Sequence, residues 1–499
     1  MIDDKSFGGK VGVIGSGRSI YVISLFLLNV GFARSMGTEQ FGSFQQVFMF
    51  TALFMILSMG IPETMYFFLP RLTDEEQPRF LGQTILLLGI SGCAAALILW
   101  FGAPAIAQIQ GNPDIVSDLR LFGIYGAFLV CTVFADPIFI IYKRIKNLFV
   151  LSALHGVFFI ALTAWQYFTG APAHAVFYAM VIFGGLKLVL ALYMIYKMRP
   201  ETGSIRFFGG KSTLLLQLSF ALPVALSKTI DIISTWLDKF VVSIFLGHDA
   251  LGYFSVGAIE IPLVAVLLSS VYSIGSPVLN KLHHENNIDG FAAFVNKTLK
   301  FTSKIIWPLF LYLMVYADHI IPLLFKSDFE ASVAPFRIYL IMMPVRIALY
   351  GVIVLALGKP RIVFLGAFVT LLLNLVLNLV LVHQIGLLGP AIATVITTYL
   401  HVIFLVTYIL LNTRVSVREL IPVRDFFVIG LSCILAALIS FLLTRMVGND
   451  LSAVISSLLI FFGVYIFIGK KAGFISFPSF IDIVRGDFVV KKDDRSKDQ

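Results

Sequence analysis

Long apolar stretches follow one another along most of the chain, and short polar segments separate them. A helix needs about 20 apolar residues to cross a bilayer, so the pattern predicts an all-α integral membrane protein with about fourteen transmembrane helices. These spans are predicted near residues 12–34, 42–69, 80–101, 118–141, 147–168, 174–197, 214–245, 252–279, 299–322, 333–356, 362–383, 388–411, 425–445 and 452–469.

The stretch from residue 18 to residue 75 recurs 210 positions later without a gap. Met36–Phe44 falls on Leu246–Phe254, and Arg18 falls on Lys228. Such a duplication predicts two six-helix lobes related by a pseudo-twofold axis along the membrane normal, with two additional helices after them. The expected units are an N-terminal lobe (1–211), a C-terminal lobe (212–413), two additional spans (414–470) and a cytoplasmic tail (471–499).

Composition supports a membrane location, because 59% of the residues are apolar and only 13% are charged. The net charge of +9 does not indicate nucleic-acid binding here, since lysine and arginine concentrate in alternate loops. By the positive-inside rule these loops are cytoplasmic, which predicts a multi-pass membrane protein with both termini in the cytoplasm. The three cysteines lie in apolar runs, so no metal site is expected.

Basic residues inside the predicted spans are candidate substrate ligands, because each costs about 2.5–3.5 kcal/mol at a helix centre unless something compensates. Arg18 and Lys228 occupy matching depths in the two copies and could clamp a diphosphate, although Arg18 could instead reach the headgroups. The complete set of expected cavity cations is Arg18, Lys187, Lys228, Arg346 and Lys239.

Acidic residues in the spans are candidate coupling sites for a proton or a sodium ion, and no other cofactor is expected. Glu63 follows Pro62 and Glu260 precedes Pro262, where proline frees a backbone carbonyl. Asp231 and Asp238 share a polar stripe on span 7 with Lys228. The alternative for all four acids is a structural ion pair with a neighbouring lysine or arginine.

Two further groups of residues are predicted to be structural. Gly37, Gly42, Gly247 and Gly252 mark the repeated turn after the first span of each lobe. Asn374 and Asn378 lie one helical turn apart in span 11, so their amides can form hydrogen bonds across helices; a direct contact with substrate is the alternative.

Three groups of motifs recur in order along the chain: Gly37–Phe44 leading to Gly60-Ile61-Pro62, Asp238-Lys239 before Leu246–Phe254, and Gly358-Lys359-Pro360 with the Asn374/Asn378 pair and the Gly386–Thr394 turn. In these motifs the chain resembles the polysaccharide transporter branch of the multidrug/oligosaccharidyl-lipid/polysaccharide exporter superfamily.

The resemblance implies a Wzx-type flippase of the bacterial plasma (inner) membrane. Such a flippase moves undecaprenyl-diphosphate-linked oligosaccharide from the inner to the outer leaflet by alternating access, for the synthesis of O-antigen, capsule or exopolysaccharide. It also implies a cationic cavity, last two spans that accommodate the lipid, and partners that include membrane lipids, a polysaccharide polymerase and chain-length machinery.

Three other functions are weighed. A lipid II flippase shares the fourteen spans and the cavity cations. A multidrug antiporter of the same fold usually has twelve spans and an acidic cavity. A membrane-embedded glycosyltransferase should carry an aspartate-rich nucleotide-sugar motif or a large catalytic loop, whereas every predicted loop here is short, so the chain is not expected to be an enzyme.

Overall fold

A computed structural model describes residues 4–58, 60–198, 211–348, 350–413, 415–444 and 451–475, without the side chains of residues 4–18, 211, 212, 227, 273, 274, 444, 451 and 453. Within these ranges every regular element is a helix. The principal helices are Asp4–Phe48, Thr51–Ser58, Ile61–Phe68, Gln77–Ile109, Val116–Thr132, Ala135–Ile141, Ile145–Thr169, Ala173–Lys197, Lys211–Gly257, Pro262–His284, Ile288–Phe325, Val333–Leu340, Tyr350–Ala356, Pro360–Ile385, Leu388–Thr413, Val417–Leu420, Val423–Thr444 and Leu451–Lys471. The predicted all-α fold is confirmed.

These helices form fourteen spans. Twelve described helical runs are long and apolar enough to cross a membrane. The first of these runs contains both span 1 and span 2, which meet at Gly37, where the backbone departs from helical geometry. Span 10 is too interrupted to count among the twelve and consists of Val333–Leu340 and Tyr350–Ala356.

Four spans that the sequence pattern predicts as single helices are interrupted, namely spans 2, 4, 8 and 10. A proline follows or lies within each interruption: Pro62, Pro137, Pro262 and Pro344. Proline lacks an N–H and clashes with the carbonyl four residues earlier, so it ends or bends a helix that hydropathy alone predicts as continuous. Spans 2 and 8 are repeat counterparts, as are spans 4 and 10, and both lobes therefore have the same pair of broken helices.

Aromatic rings fill the interior of the N-terminal lobe. Phe44 stacks on Phe177 with 5.5 Å between ring centroids, and Phe122 meets Phe177 edge to face at 5.7 Å. All three rings are fully buried. This core holds spans 2, 4 and 6 together and so sets the positions of their polar residues.

Spans 13 and 14 form a hairpin against span 9. The Tyr316 hydroxyl lies 2.8 Å from Ser440 Oγ, and the Tyr465 hydroxyl donates to the Lys304 carbonyl at 2.9 Å. The short helix Val417–Leu420 leads into the hairpin, and its Glu419 carboxylate accepts from the backbone N–H of Ser416. That hydrogen bond lowers the pKa of Glu419.

Candidate functional site

The repeated turns meet each other at one end of the bundle, here called the Gly37 end. Gly37 and Gly247 have φ values of 74° and 86°, a conformation that favours glycine. Beyond them, a Cβ on Gly42 would lie 1.8 Å from the carbonyl oxygen of His248, and a Cβ on Gly252 would lie 2.4 Å from that of Thr38. Spans 2 and 8 therefore touch backbone to backbone, as expected across a pseudo-twofold axis.

Polar contacts also join the two lobes at the Gly37 end. Arg34 Nη1 donates to the carbonyl of Leu323 at 2.6 Å, at the end of span 9. Gln46, buried in span 2, donates to Ser243 Oγ of span 7 at 3.0 Å. The lobes are closed against each other here.

Gln217 joins the lobes at the opposite end, here called the Gln217 end. This fully buried amide of span 7 donates to Thr64 Oγ1 at 2.9 Å and to Thr84 Oγ1 at 2.8 Å, and it accepts from Gln83 Nε2 at 2.9 Å. The three partners belong to spans 2 and 3. The backbones of spans 2 and 7 also approach each other closely beside this cluster. A Cβ on Gly60 would lie 2.1 Å from the carbonyl oxygen of Ala221.

Lys228 of span 7 forms an ion pair with Glu63 of span 2, so a predicted cavity cation and a predicted coupling acid are partners across the two lobes. The other Glu63 oxygen accepts from the Gly60 backbone N–H at 2.9 Å and caps the helix that follows. Asp231, one turn further along span 7, is exposed and interacts electrostatically with Lys228 and with His401.

Arg346 lies within the interruption of span 10, and its side chain is exposed. In the described part of the chain, no residue forms a hydrogen bond or ion pair with its guanidinium. Glu260 lies at the interruption of span 8, is likewise exposed, and interacts electrostatically with Lys239. The Lys239 ammonium lies 5.0 Å from the centroid of the Trp236 ring.

Asp238 forms a buried cluster with spans 10, 11 and 12. Its carboxylate accepts from Tyr339 and Thr394 hydroxyls at 2.5 Å each and from Asn378 Nδ2 at 3.0 Å. Asn374 Nδ2 donates to Thr394 Oγ1 at 2.9 Å. The Oδ1 atoms of Asn374 and Asn378 are buried without a hydrogen-bond partner, which is costly in a protein interior.

Lys187 meets a histidine inside the N-terminal lobe. Its Nζ lies 3.0 Å from Nδ1 of His155 on span 5, and Nε2 of the same ring lies 3.2 Å from the Tyr125 hydroxyl on span 4. His155 and Tyr125 are buried. Asp136, at the interruption of span 4, interacts electrostatically with Lys187.

Several of these residues were not predicted from the sequence: Gln217, His155, Tyr125, Tyr339 and Thr394. Gln217 and His155 are polar residues within apolar runs, which is the signal that singled out Lys187, so they could have been found. Tyrosine and threonine are common in helices, so the sequence does not single out Tyr339 and Thr394. Their role comes from their contacts with Asp238. The side chain of Arg18 lies outside the described residues.

Comparison with known proteins identifies the family. A family described as "Polysaccharide biosynthesis protein" matches residues 32–334, which is more than half of the chain. The chain belongs to this family. The predicted membership in the polysaccharide transporters is thereby confirmed, and the protein is a multi-pass membrane flippase or transporter.

Two archaeal proteins are similar to this family member. An uncharacterized membrane protein of Methanocaldococcus jannaschii is 20% identical over 421 residues, covering 77% of this chain and 80% of the relative. A probable low-salt glycan biosynthesis flippase of Haloferax volcanii is 23% identical over 192 residues, covering 36% of this chain and 40% of the relative.

Solved structures show the same fold. A lipid II flippase in an inward closed conformation aligns with a TM-score of 0.71 at 16% identity, covering 94% of this chain and 99% of that one. An inward-facing multidrug resistance transporter aligns with a TM-score of 0.67 at 16% identity, covering 79% and 94%. The family and the fold are those of transporters rather than of enzymes.

Proposed function

We propose that this transporter is a flippase for undecaprenyl-diphosphate-linked oligosaccharide in the bacterial plasma membrane, with both termini in the cytoplasm. The translocated oligosaccharide would serve the synthesis of O-antigen, capsule or exopolysaccharide. The family match supports the glycan class, and the similarity to a probable glycan biosynthesis flippase supports the reaction. The basic residues within the spans support a substrate with an anionic headgroup.

The exposed guanidinium of Arg346 is the observation that carries the proposal. An arginine at mid-membrane depth is costly when it faces lipid, so an unpartnered one is expected to face a hydrated path. Its planar fork suits two phosphate oxygens at once, which a diphosphate offers. Arg346 also lies where the helix of span 10 is interrupted, and irregular backbone at this depth is tolerated where it lines a cavity.

Lys228 supplies a second cation, whose use depends on conformation. In the described state it is neutralised by Glu63 of the opposite lobe. When the lobes separate at the Gln217 end, this pair breaks and a diphosphate can replace the carboxylate as its partner. Lys187, Lys239 and Arg18 remain proposed contributors to the positive potential along the path.

Direction requires an energy source, and we propose the Asp238 cluster as a site for a coupling cation. Hard cations prefer oxygen ligands. The amide oxygens of Asn374 and Asn378 are buried without a hydrogen-bond partner, and Asn378 donates through its Nδ2 to the buried Asp238 carboxylate. A sodium ion would supply the charge that offsets this carboxylate. Tyr339 and Thr394 orient the carboxylate by donating to it.

Flipping of a fluorescent undecaprenyl-diphosphate oligosaccharide in proteoliposomes tests the function. We expect Arg346→Gln to reduce the flipping rate by at least about tenfold, which corresponds to about 1.4 kcal/mol of lost stabilisation. The matched control is Arg337→Gln, because Arg337 pairs with Asp318 at the Gly37 end. A wild-type protein that does not flip this lipid, or an Arg346→Gln variant that flips it at the wild-type rate, contradicts the proposal.

A lipid II flippase is the second candidate, because the similarity to such a flippase covers nearly the entire chain. Expression in a strain depleted of its own lipid II flippase separates the two. Restored growth favours lipid II, whereas restored surface polysaccharide in a strain lacking its oligosaccharide flippase favours the proposed function. Association with a polymerase and chain-length machinery is proposed only for the latter.

A further inference from the structure

The Lys187–His155 pair has a chemistry that differs from every other cation in the described parts of the spans. Two basic nitrogens face each other across 3.0 Å, so only one hydrogen can lie between them. If both side chains were protonated, two N–H groups would point at each other and two positive charges would be adjacent. The pair therefore carries either one positive charge or none.

The Tyr125 hydroxyl can satisfy both states. With one proton bound, Lys187 donates to Nδ1 of His155, and Nε2–H donates to the Tyr125 oxygen. With that proton released, Nδ1–H donates to the neutral Lys187 amine, and Nε2 accepts from the Tyr125 O–H. Both contacts of the imidazole persist in the two states, with the Tyr125 hydroxyl acting as acceptor in one and as donor in the other, which lowers the cost of the change of one proton in a buried site.

Aromatic rings surround the histidine of the pair, and an exposed acid acts on its lysine. Tyr21 of span 1 packs its ring 5.1 Å from the His155 ring, while Phe159 and Phe183 lie at 4.7 and 5.4 Å. Asp136 of span 4 is exposed and interacts electrostatically with Lys187. On span 1, Arg18 lies three residues before Tyr21, in the part whose side chains are not described.

The C-terminal lobe has a polar bridge at the matching place. His401 Nδ1 of span 12 lies 2.9 Å from Thr370 Oγ1 of span 11, and Asp231 of span 7 interacts with this histidine. Asp231 is the repeat counterpart of Tyr21 at the 210-residue offset. Among the described residues, only the N-terminal lobe pairs two bases here, so the two lobes are specialised differently at equivalent positions.

We infer that Lys187 and His155, with Asp136 as the entry point, form a proton-binding site of the N-terminal lobe. A proton from water passes by way of the Asp136 carboxylate to the neutral pair, which becomes singly positive; release returns the proton to water and restores the neutral pair. No electron or other group is transferred. The inference rests on the transporter fold and is independent of which glycan is carried.

Charge displacement in proteoliposomes on a solid-supported membrane tests this site without any substrate. A jump from about pH 8 to about pH 6 spans the range in which histidine chemistry operates. We expect a transient current for the wild-type protein, loss of that current in His155→Gln and Lys187→Met, and a reduced current in Asp136→Asn. His319→Gln, near the end of span 9, serves as the matched histidine control and should keep the full transient.

Tyr125→Phe keeps the test informative if the larger changes prevent folding. It removes one oxygen. We expect the transient to persist with an altered pH dependence, because the hydroxyl accepts from Nε2–H in one proton state and donates to Nε2 in the other, so its loss affects the two states unequally. A wild-type protein without a transient, or variants at positions 155 and 187 that keep it unchanged, would overturn the inference. Neither outcome bears on flipping of the fluorescent lipid, so the two proposals fail separately.

Discussion

Single charged residues with the same sequence signal take on three different roles in the folded chain. Lys228 pairs with Glu63 across the lobes, Lys187 pairs with His155 within one lobe, and Arg346 has no partner among the described residues. Each partner lies on another span, up to 165 positions away. The cost of an intramembrane charge explains why a partner or a path exists, whereas the choice between them depends on tertiary packing.

Asp238→Asn tests the proposed cation site at this scale. The carboxylate accepts three hydrogen bonds, so replacing it by an amide removes the charge and leaves a donor facing other donors. We expect the sodium dependence of flipping to disappear, as measured by titrating sodium in proteoliposomes. The control is Asp425→Asn, whose carboxylate pairs with Lys300 beside the hairpin. Unchanged sodium dependence in the Asp238→Asn variant would refute the site.

Entire helices show a second level of organisation, because the interrupted spans occur in repeat-matched pairs. Spans 2 and 8 also meet at the Gly37 end, where Gly42 and Gly252 bring their backbones into contact. Small residues permit such close helix approach in membranes. The duplication therefore preserved a contact between the two copies as well as the fold of each copy.

Gly42→Ala tests this contact. The added Cβ would lie 1.8 Å from the His248 carbonyl oxygen, so spans 2 and 8 must separate. Overpacking of this kind costs about 1–3 kcal/mol, and we expect a lower midpoint of thermal unfolding together with slower flipping. Gly89→Ala in span 3 is the control, since its Cβ would meet nothing within 4 Å. Equal stability of the two variants would show that the contact does not constrain the lobes.

In this structure, contacts join the two lobes at both ends of the bundle. Arg34, Gln46 and the paired glycines join the lobes at the Gly37 end, and the Gln217 cluster joins them at the other. Alternating access requires that one set of contacts breaks while the other persists. We expect the lobes to separate at Gln217, because its three hydrogen bonds all cross from one lobe to the other.

A reversible cross-link tests that opening. Cysteines at positions 84 and 217, in a background without Cys93, Cys131 and Cys433, should be joined by a short bis-thiosulfonate linker. We expect flipping to stop on cross-linking and to recover with reductant. The control pair is Thr84→Cys with Ser219→Cys, because Ser219 is exposed on the same helix. Undiminished flipping by the joined 84/217 pair would exclude opening at the Gln217 end.

The sequence by itself determined the membrane class, the number of spans and the duplication, because hydropathy and glycine spacing are local properties of the chain. It also located Asn374, Asn378 and Asp238 as notable polar residues. It did not predict the interruptions in spans 2, 4, 8 and 10, since a helix break depends on proline geometry together with the packing that satisfies the freed backbone groups.

Only the tertiary structure decided which polar residues meet. Asp238 and Thr394 are 156 positions apart, and Gln217 and Thr84 are 133 positions apart, yet each pair forms a hydrogen bond. Nothing in the order of residues specifies such contacts, because helices that are distant in sequence become neighbours only when the lobes fold and pack. In an apolar medium a buried polar group without a partner is costly, so the packing of the helices selects the partners and with them the candidate site.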